Sequence, residues 1–511
     1  MKHLLFGCIT FLFSANVLAQ NTVATPQWRP QYHFSPLKNW TNDPNGLIYI
    51  NGVYHLYNQQ NPYENRWGHM SWGHATSTDL VHWKHHGIAI PEGINGDDTI
   101  WRFSGSAVLD KNNTSGFCKG DSGCIVAIYT ADQPHIRKES QYIAYSNDGG
   151  MTFTNYAGNP IIDLDKKDFR DPNVQWDNDL KKWLMVVALP FENKVQFYSS
   201  PDLKKWDLLS EFGNAGLRNG IWECPFFIEL PVEGKKDKSK WVLVNSFNDA
   251  QGNKAEEYYI GDFDGKTFVN DNPSDKPLLA DYGDALYAAI PWNNLPASQH
   301  IYIGWMVPED GQETYPWRGQ MSIPRDIMLK ETKEGIRLIQ HPAKVIKDNL
   351  SNLSKKMILL KNVTIEGNSG QVTELKKMRG NSYWIEAEMK APANGICGFK
   401  IGEGKDESGK IISETIIGYD HAQHKVYIDR SHSGGRINPK KIMQSAQVAE
   451  NDGKIKFEIL FDKSSLEVFV NDGEQVFTTY IYPPKDADGI SVFTINGKSE
   501  ISNLKAWVMS N

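Results

Sequence analysis

Between residues 28 and 340, apolar and polar positions alternate only in short bursts broken by Gly, Asn and Asp. The runs at 46–50, 53–57, 124–130, 183–188, 194–199 and 241–246 are brief and rich in β-branched and aromatic side chains. A sustained 3.6-residue period is nearly absent, so the pattern predicts many short strands and an all-β architecture. A weak internal repeat sharpens this. Asp79 is followed by Trp83, Asp148 by Phe153, Asp202 by Trp206 and Asp264 by Phe268, each Asp lying in a Ser-, Gly- or Leu-containing turn. The turn recurs about every 55–70 residues. That spacing suits one small antiparallel sheet per repeat, and radial repetition of such sheets gives a β-propeller.

The texture then changes. Residues 341–356 read as a connector with some helical character. Beyond them, strict two-residue alternation appears at 454–459 and 466–470, and Asp472-Gly473 and Asn496-Gly497 are hairpin signals between apolar runs. We therefore expect a propeller domain over 28–340 and a separate β-sandwich over 357–511. Ahead of both, Lys2, the apolar run 4–18 and Val17-Leu18-Ala19 form a signal peptide pattern over 1–19. That run is too short for a bilayer span, and no later stretch is long and apolar enough to cross one. The expected location is periplasmic or extracellular, after cleavage near Ala19.

Composition narrows the function. With 12% aromatic residues and 23% charged residues, the chain is not a disordered one. A net charge of −7 without a Lys/Arg block argues against a nucleic-acid partner. Fourteen of the 16 Trp precede residue 340, so aromatic surface is concentrated in the first part. Cys118 and Cys124 flank a short Gly-containing loop; they either pair in an oxidising compartment or stay free. No Cys/His spacing matches a zinc site. Asp163, Asp165 and Asp168 match no calcium loop and read as a solvated turn. No metal and no cofactor are expected. The basic run 235–240 reads as a hairpin tip.

Three acidic motifs remain: Trp40-Thr41-Asn42-Asp43-Pro44-Asn45-Gly46, Phe169-Arg170-Asp171-Pro172 and Trp222-Glu223-Cys224-Pro225. Each sets a carboxylate beside a Pro that fixes a turn. Alone, each is an ordinary turn or surface ion pair. In a propeller, such segments converge on the central funnel although they are far apart in sequence.

Together these motifs resemble glycoside hydrolase family 32, the invertase, inulinase and levanase group. The resemblance extends, in order, to His55-Leu56-Tyr57-Asn58-Gln59-Gln60-Asn61-Pro62, Trp67-Gly68-His69-Met70-Ser71-Trp72-Gly73-His74 and Phe103-Ser104-Gly105-Ser106. It continues through Asp281-Tyr282-Gly283 with Tyr287-Ala288, Gly304-Trp305-Met306, Pro316-Trp317-Arg318-Gly319 and Asp462-Lys463-Ser464-Ser465-Leu466-Glu467-Val468-Phe469. It implies a five-bladed β-propeller followed by a β-sandwich, and a retaining hydrolase of β-fructosyl linkages. Its substrates would be levan, inulin or fructo-oligosaccharides, with sucrose a further candidate. By the resemblance, Asp43 is the nucleophile and Glu223 the general acid and then base, which must hold its proton near neutral pH. Asp171 would stabilise the oxocarbenium-like transition state, and Arg170 would hold Asp171 and a sugar hydroxyl. Asn42, Gln59 and Ser104 are the implied hydrogen-bonding groups, and Asp281 is a ligand of a sugar or of an Arg; Trp67, Phe103, Trp305 and Trp317 are the implied apolar walls. Trp101 is divided evenly between wall and core.

The chain departs from the family pattern at Gln60, at Asp284-Ala285-Leu286 and over residues 307–314. These positions are expected at the pocket rim, where they bear on substrate choice. Exo-cleavage releasing fructose is the favoured action. Endo-levanase action, fructosyl transfer and, more distantly, a non-catalytic carbohydrate-binding propeller are the alternatives. The oligomeric state is not readable from the sequence.

Overall fold

The computed structural model describes residues 25–95, 98–366, 375 and 378–509. The expected signal peptide, residues 1–19, lies outside the described residues. Five antiparallel sheets follow one another along the chain. Blade I is Asn39–Ile50, Val53–Gln60, Ser71–Ser77 and Lys84–Ile90. Blade II is Asp98–Asp110, Cys124–Gln133 and Lys138–Ser146, the last paired with both Thr154–Asn155 and Ile162–Lys166. Blade III is Arg170–Asp177, Lys182–Leu189, Lys194–Ser200 and Asp207–Gly213. Blade IV is Gly220–Pro231, Ser239–Asp249, Lys254–Phe263 and Phe268–Asn270. Blade V is Leu286–Pro291, Ile301–Met306, Arg325–Thr332 and Gly335–Pro342. The first strands touch in a ring, I against II, II against III, III against IV, IV against V and V against I. The ring is sealed where Trp317–Arg318 pairs in parallel with Asn39 and Trp40. This is the five-bladed propeller.

The apolar pattern of its strands has a packing cause. Lys182–Leu189 is buried along nearly its whole length because both faces of its blade meet a neighbour. Val186, Phe197, Trp222, Phe227 and Leu243, for example, pack together between blades III and IV. A strand covered on two sides has no polar face, so it reads as a continuous apolar run.

The repeated Asp turn is one structural feature used four times. In blades I to IV it joins the third strand to the next one. Each Asp Oδ1 accepts two backbone N–H groups: Val81 and His82 on Asp79, Met151 and Thr152 on Asp148, Lys204 and Lys205 on Asp202, Lys266 and Thr267 on Asp264. Blade V lacks it. Its corresponding turn is the tight Thr332–Gly335 hairpin, which leaves no room for an Asp-capped loop.

Cys118 and Cys124 form a disulfide, closing the loop between the first two strands of blade II. The basic run lies at the turn between the first two strands of blade IV, where Lys235 and Lys238 pair with Glu331.

Two short helical turns, Lys344–Lys347 and Leu350–Leu353, lead into the sandwich. Its six-stranded sheet runs in the order Ser354–Glu366, Lys498–Met509, Ser382–Lys390, Ile455–Asp462, Ser465–Val470, Gln475–Tyr480. Its five-stranded sheet runs Met443–Gln447, Lys425–His432, Ile411–Asp420, Ile396–Lys405, Gly489–Ile495. Asp472-Gly473 turns a hairpin. Asn496-Gly497 does not: the strands on either side of it belong to different sheets, so it turns a corner between them.

The outer face of the six-stranded sheet packs on the propeller. Trp384, Leu460, Phe469 and Trp507 join Tyr32, Phe34, Ile301 and Ile323 in one apolar cluster. A polar network crosses the same interface. His33 lies between Asp462 (Nδ1 to Oδ2, 2.9 Å) and Glu467 (Nε2 to Oε1, 2.8 Å), with both partners buried. Arg325 Nη2 donates to Glu467 Oε2 at 2.5 Å and Nη1 to Asp281 Oδ2 at 3.1 Å. Among the described residues, no helix is long and apolar enough to cross a membrane.

Candidate active site

The five first strands share an irregularity at one end of the ring. Their pairing slips between Thr41 and Pro44, Arg102 and Gly105, Arg170 and Asn173, Glu223 and Phe226, and Tyr287 and Ile290. A bulge leaves a residue without a ladder partner and turns its side chain to a new direction. Pro172 and Pro225 sit in two of these bulges, where the missing N–H costs no ladder bond, and Pro44 is the residue at which pairing resumes after a third. Asp171, Cys224 and Ala288 take left-handed backbone angles, with φ of 67°, 48° and 53°. Such angles cost about 1–3 kcal/mol each for a residue with a side chain and persist where surrounding packing imposes them.

The bulges bring Asp43, Asp171 and Glu223 to one cavity of about 850 Å³. Ser104 Oγ donates to Asp43 Oδ2 at 2.6 Å. Cys224 lies between the first two acids, its Sγ 3.7 Å from Asp43 Oδ2 and 3.5 Å from Asp171 Oδ2. The Cys224 backbone N–H donates to Asp171 Oδ2 at 2.9 Å. Burial, and then the surrounding carboxylates, push the Cys224 thiol far up. It is therefore a neutral spacer that holds a proton between two acids. Burial also raises Asp43, while the bonds from Ser104 and Asn42 favour its charged form. Asp171 rises further, through burial and then the charges of Glu223 and Asp43, against the opposing charge of Arg170.

Glu223 has both oxygens occupied. Arg170 Nη1 donates to Oε1 at 2.9 Å and the Tyr287 hydroxyl donates to Oε2 at 2.6 Å. The sequence led us to expect a bond from Arg170 to Asp171, and the structure shows other partners instead. Its fork spans three acids: Glu223 through Nη1, Glu139 through Nε (3.0 Å) and Nη2 (2.8 Å), and Asp168 through Nη2. A planar guanidinium with several acceptors holds one orientation. Adjacent residues of a strand face opposite ways. Trp222 accordingly points away from the cavity, donating to Leu217 O at 2.7 Å and packing on Tyr259.

Of the expected sugar contacts, Asn42, Gln59, Trp67, Phe103, Ser104, Arg170 and Trp305 line the cavity. Trp101 lines it as well, edge-on to Trp67 at 5.2 Å. Trp305 Nε1 is a buried donor with no protein partner among the described residues, free to meet a ligand hydroxyl. Two expectations change. Of the two roles open to Asp281, ligand of a sugar or of an Arg, the structure shows the second: it is buried at the propeller–sandwich interface, bonded to Arg325 and to the N–H and hydroxyl of Thr478. Trp317 is buried beneath the Arg29 guanidinium, 4.0 Å from its ring centroid, with the ring-sealing strand holding it off the cavity. Its neighbour Arg318 faces the cavity instead.

Asp163 and Asp165 pair with Lys138, but Asp168 lines the cavity and grips Arg170. Sequence reasoning missed Glu139, Tyr287, Asp132 and Lys254. Tyr287 stood inside a quoted motif without a role. Glu139 had one local signal, an acid within an otherwise strand-like run.

Comparison with known proteins places these features in company. Residues 33–342 match the glycosyl hydrolases family 32 N-terminal domain, and residues 349–508 match the glycosyl hydrolases family 32 C-terminal region. The chain is 42% identical over 510 residues to a levanase of Bacillus subtilis (strain 168), covering 97% of this chain and 72% of that protein. It is 35% identical over 516 residues to an extracellular exo-inulinase of Aspergillus awamori, covering 93% of each. The crystal structure of exo-inulinase from A. awamori superposes with a TM-score of 0.86 at 34% identity, over 95% of this chain and 98% of that one. A fructofuranosidase from Schwanniomyces occidentalis, complexed with fructose, gives 0.83 at 31% identity, over 96% and 100%.

Proposed function

The chain belongs to glycosyl hydrolase family 32, and on that premise we propose that it removes fructose from fructan chain ends through Asp43, Glu223 and Asp171. It is a glycoside hydrolase of the β-fructosidase type, acting on fructans in the exo mode. The levanase and exo-inulinase relatives support levan, inulin and their oligosaccharides as substrates. The observation that carries the residue roles is the convergence of three carboxylates, from the first strands of blades I, III and IV, on one cavity.

The roles follow from the contacts. Asp43 attacks the anomeric carbon, its carboxylate oriented by the bond from Ser104 to Oδ2. Glu223 gives its proton to the leaving oxygen and then takes one from water, as a retaining double displacement requires. Arg170 and Tyr287 fix that carboxyl in place. Asp171, deep beside Cys224, meets ring hydroxyls of the bound fructosyl unit. Asn42, Gln59, Trp67, Phe103 and Trp305 surround that unit. The chain is exported after cleavage near Ala19, a reading supported by the signal pattern and the extracellular relatives.

Incubation with levan, inulin and sucrose, followed by product analysis, tests this reading. Early release of free fructose is expected. A ladder of short oligomers without early fructose points to endo action, and longer products to transfer. Asp43→Asn should lower turnover by several orders of magnitude with an unchanged circular dichroism spectrum. Retained activity would refute the nucleophile assignment.

A further inference from the structure

The two sequence departures at Asp284 and over residues 307–314 meet at one side chain of the sandwich. Arg430 is fully buried. Its Nη1 donates to Glu309 Oε1 at 2.8 Å and its Nη2 to Asp284 Oδ2 at 2.6 Å. Two carbonyls, Tyr480 O at 2.9 Å and Lys441 O at 2.6 Å, hold the guanidinium in place. Glu309 belongs to the segment 307–313, which leaves blade V after Met306 and lines the cavity through Val307, Pro308 and Asp310.

The sandwich seizes this segment at more than one point. The Asn438 N–H donates to Glu309 Oε2 at 3.3 Å and the Arg436 N–H to Gln312 Oε1 at 2.8 Å. The segment in turn holds Arg318 on the cavity wall, through Gln312 O at 2.9 Å and Glu309 O at 3.3 Å. Lys441 Nζ reaches Gly252 O at 3.0 Å, steadying the blade IV turn that ends at cavity-lining Lys254. A buried carboxylate such as Glu309 is stable only with its charge partner, so this rim keeps its place only while Arg430 is there.

The rim continues from the strand whose Trp305 is the register partner of Tyr287, and Tyr287 donates to Glu223 Oε2 at 2.6 Å. That link sets the rim near Glu223, the acid that protonates the leaving oxygen, and Lys254 and Asp310 line the same cavity as Glu223. We propose that Arg430 of the sandwich is a positioning residue that shapes the leaving-group side of the pocket by holding residues 307–313. The proposal rests on the fructosidase reading above. It gives the sandwich a part in choosing which sugar is cleaved from which.

Arg430→Met keeps the aliphatic stem and removes the charge. Expected is about a tenfold loss of kcat/KM on a fructo-oligosaccharide, carried by KM. On p-nitrophenyl β-fructofuranoside, which has no leaving sugar, the change should stay within about twofold. Hydrogen exchange of the 307–313 backbone should quicken in the variant. Glu309→Gln leaves Arg430 its Asp284 partner and should reproduce the split if Arg430→Met folds poorly. Equal losses on both substrates, or unchanged exchange over 307–313, would overturn the proposal. A wild-type chain that cleaves no fructoside would instead overturn the functional reading beneath it, with the exchange result still judging the brace.

Discussion

Replacing His33 by Gln removes the cation that ties the N-terminal segment to two carboxylates of the sandwich. Both ring nitrogens face carboxylate oxygens, at 2.9 Å and 2.8 Å. A neutral imidazole would turn a lone pair on one of them, so the folded protein favours the doubly protonated ring. Burial alone would depress it, but the bonds and charges of Asp462 and Glu467 prevail and push it up to about 9. The Tyr32 ring lies 4.8 Å from the imidazole, tilted by 34°, and Arg325 faces it only through Glu467. The folded value exceeds the unfolded value of about 6.5. The stabilisation is therefore complete below pH 6.5 and is lost as pH rises through 9. A difference of about 2.5 pH units corresponds to about 3 kcal/mol. With an unfolding entropy of about 2.1 cal/mol/K per residue, 511 residues turn that into a midpoint shift of about 3 °C. Thermal melts at pH 6 and pH 9.5 measure it. The wild-type midpoint should fall by about 3 °C more than that of His33→Gln across this interval. Parallel pH dependences for the two proteins would refute a charged His33 at the interface.

Three further outcomes follow from single contacts. Ser104→Ala removes the 2.6 Å bond to Asp43; a bond to a charged group is worth about 1.5–3 kcal/mol, so kcat/KM should fall about 10- to 100-fold. Because that bond favours the carboxylate, its loss should also move the acid limb of the pH–rate profile to higher pH. Glu139→Gln weakens the hold on Arg170 and so loosens Glu223; kcat should drop about tenfold with KM little changed, and an equal rise in KM would argue against a positioning effect. Cys118→Ser opens a loop whose ends are 6 residues apart; loop-closure entropy predicts a loss of about 2 kcal/mol, read as a lower denaturation midpoint with activity unchanged.

Much of the architecture was legible because its signals are local. An Asp that caps its own turn leaves the same mark wherever it occurs, so four blades announced themselves and blade V, closed by Thr332 and Gly335, did not. The Pro after Asp43, after Asp171 and two residues after Glu223 marked the bulges that aim the acids. Orientation was less legible. Asp281 and Trp317 sit inside genuine motifs but face the interface and the ring seal. Which way they face depends on partners such as Arg325, Thr478 and Arg29, remote in sequence. Arg170 was tied to its immediate neighbour, Asp171, when its real partners are Glu139 and Glu223. Alternation identified the sandwich strands, but not that Asn496-Gly497 leads from one sheet into the other.

The seal between Trp317–Arg318 and Asn39–Trp40 sets an order of events as well as a shape. A chain is made from its N-terminus, so the strand bearing Asp43 exists long before the residues that close the ring beside it. Glu223 and Tyr287 follow Asp43 in turn, Trp317 then closes the ring, and the Arg430 brace arrives last. Until the ring closes there is no assembled cavity, only scattered acids on separate sheets. Any chain stopped short of Trp317 should therefore be inert, whatever number of blades it has formed. Catalysis would then report that the ring had been closed.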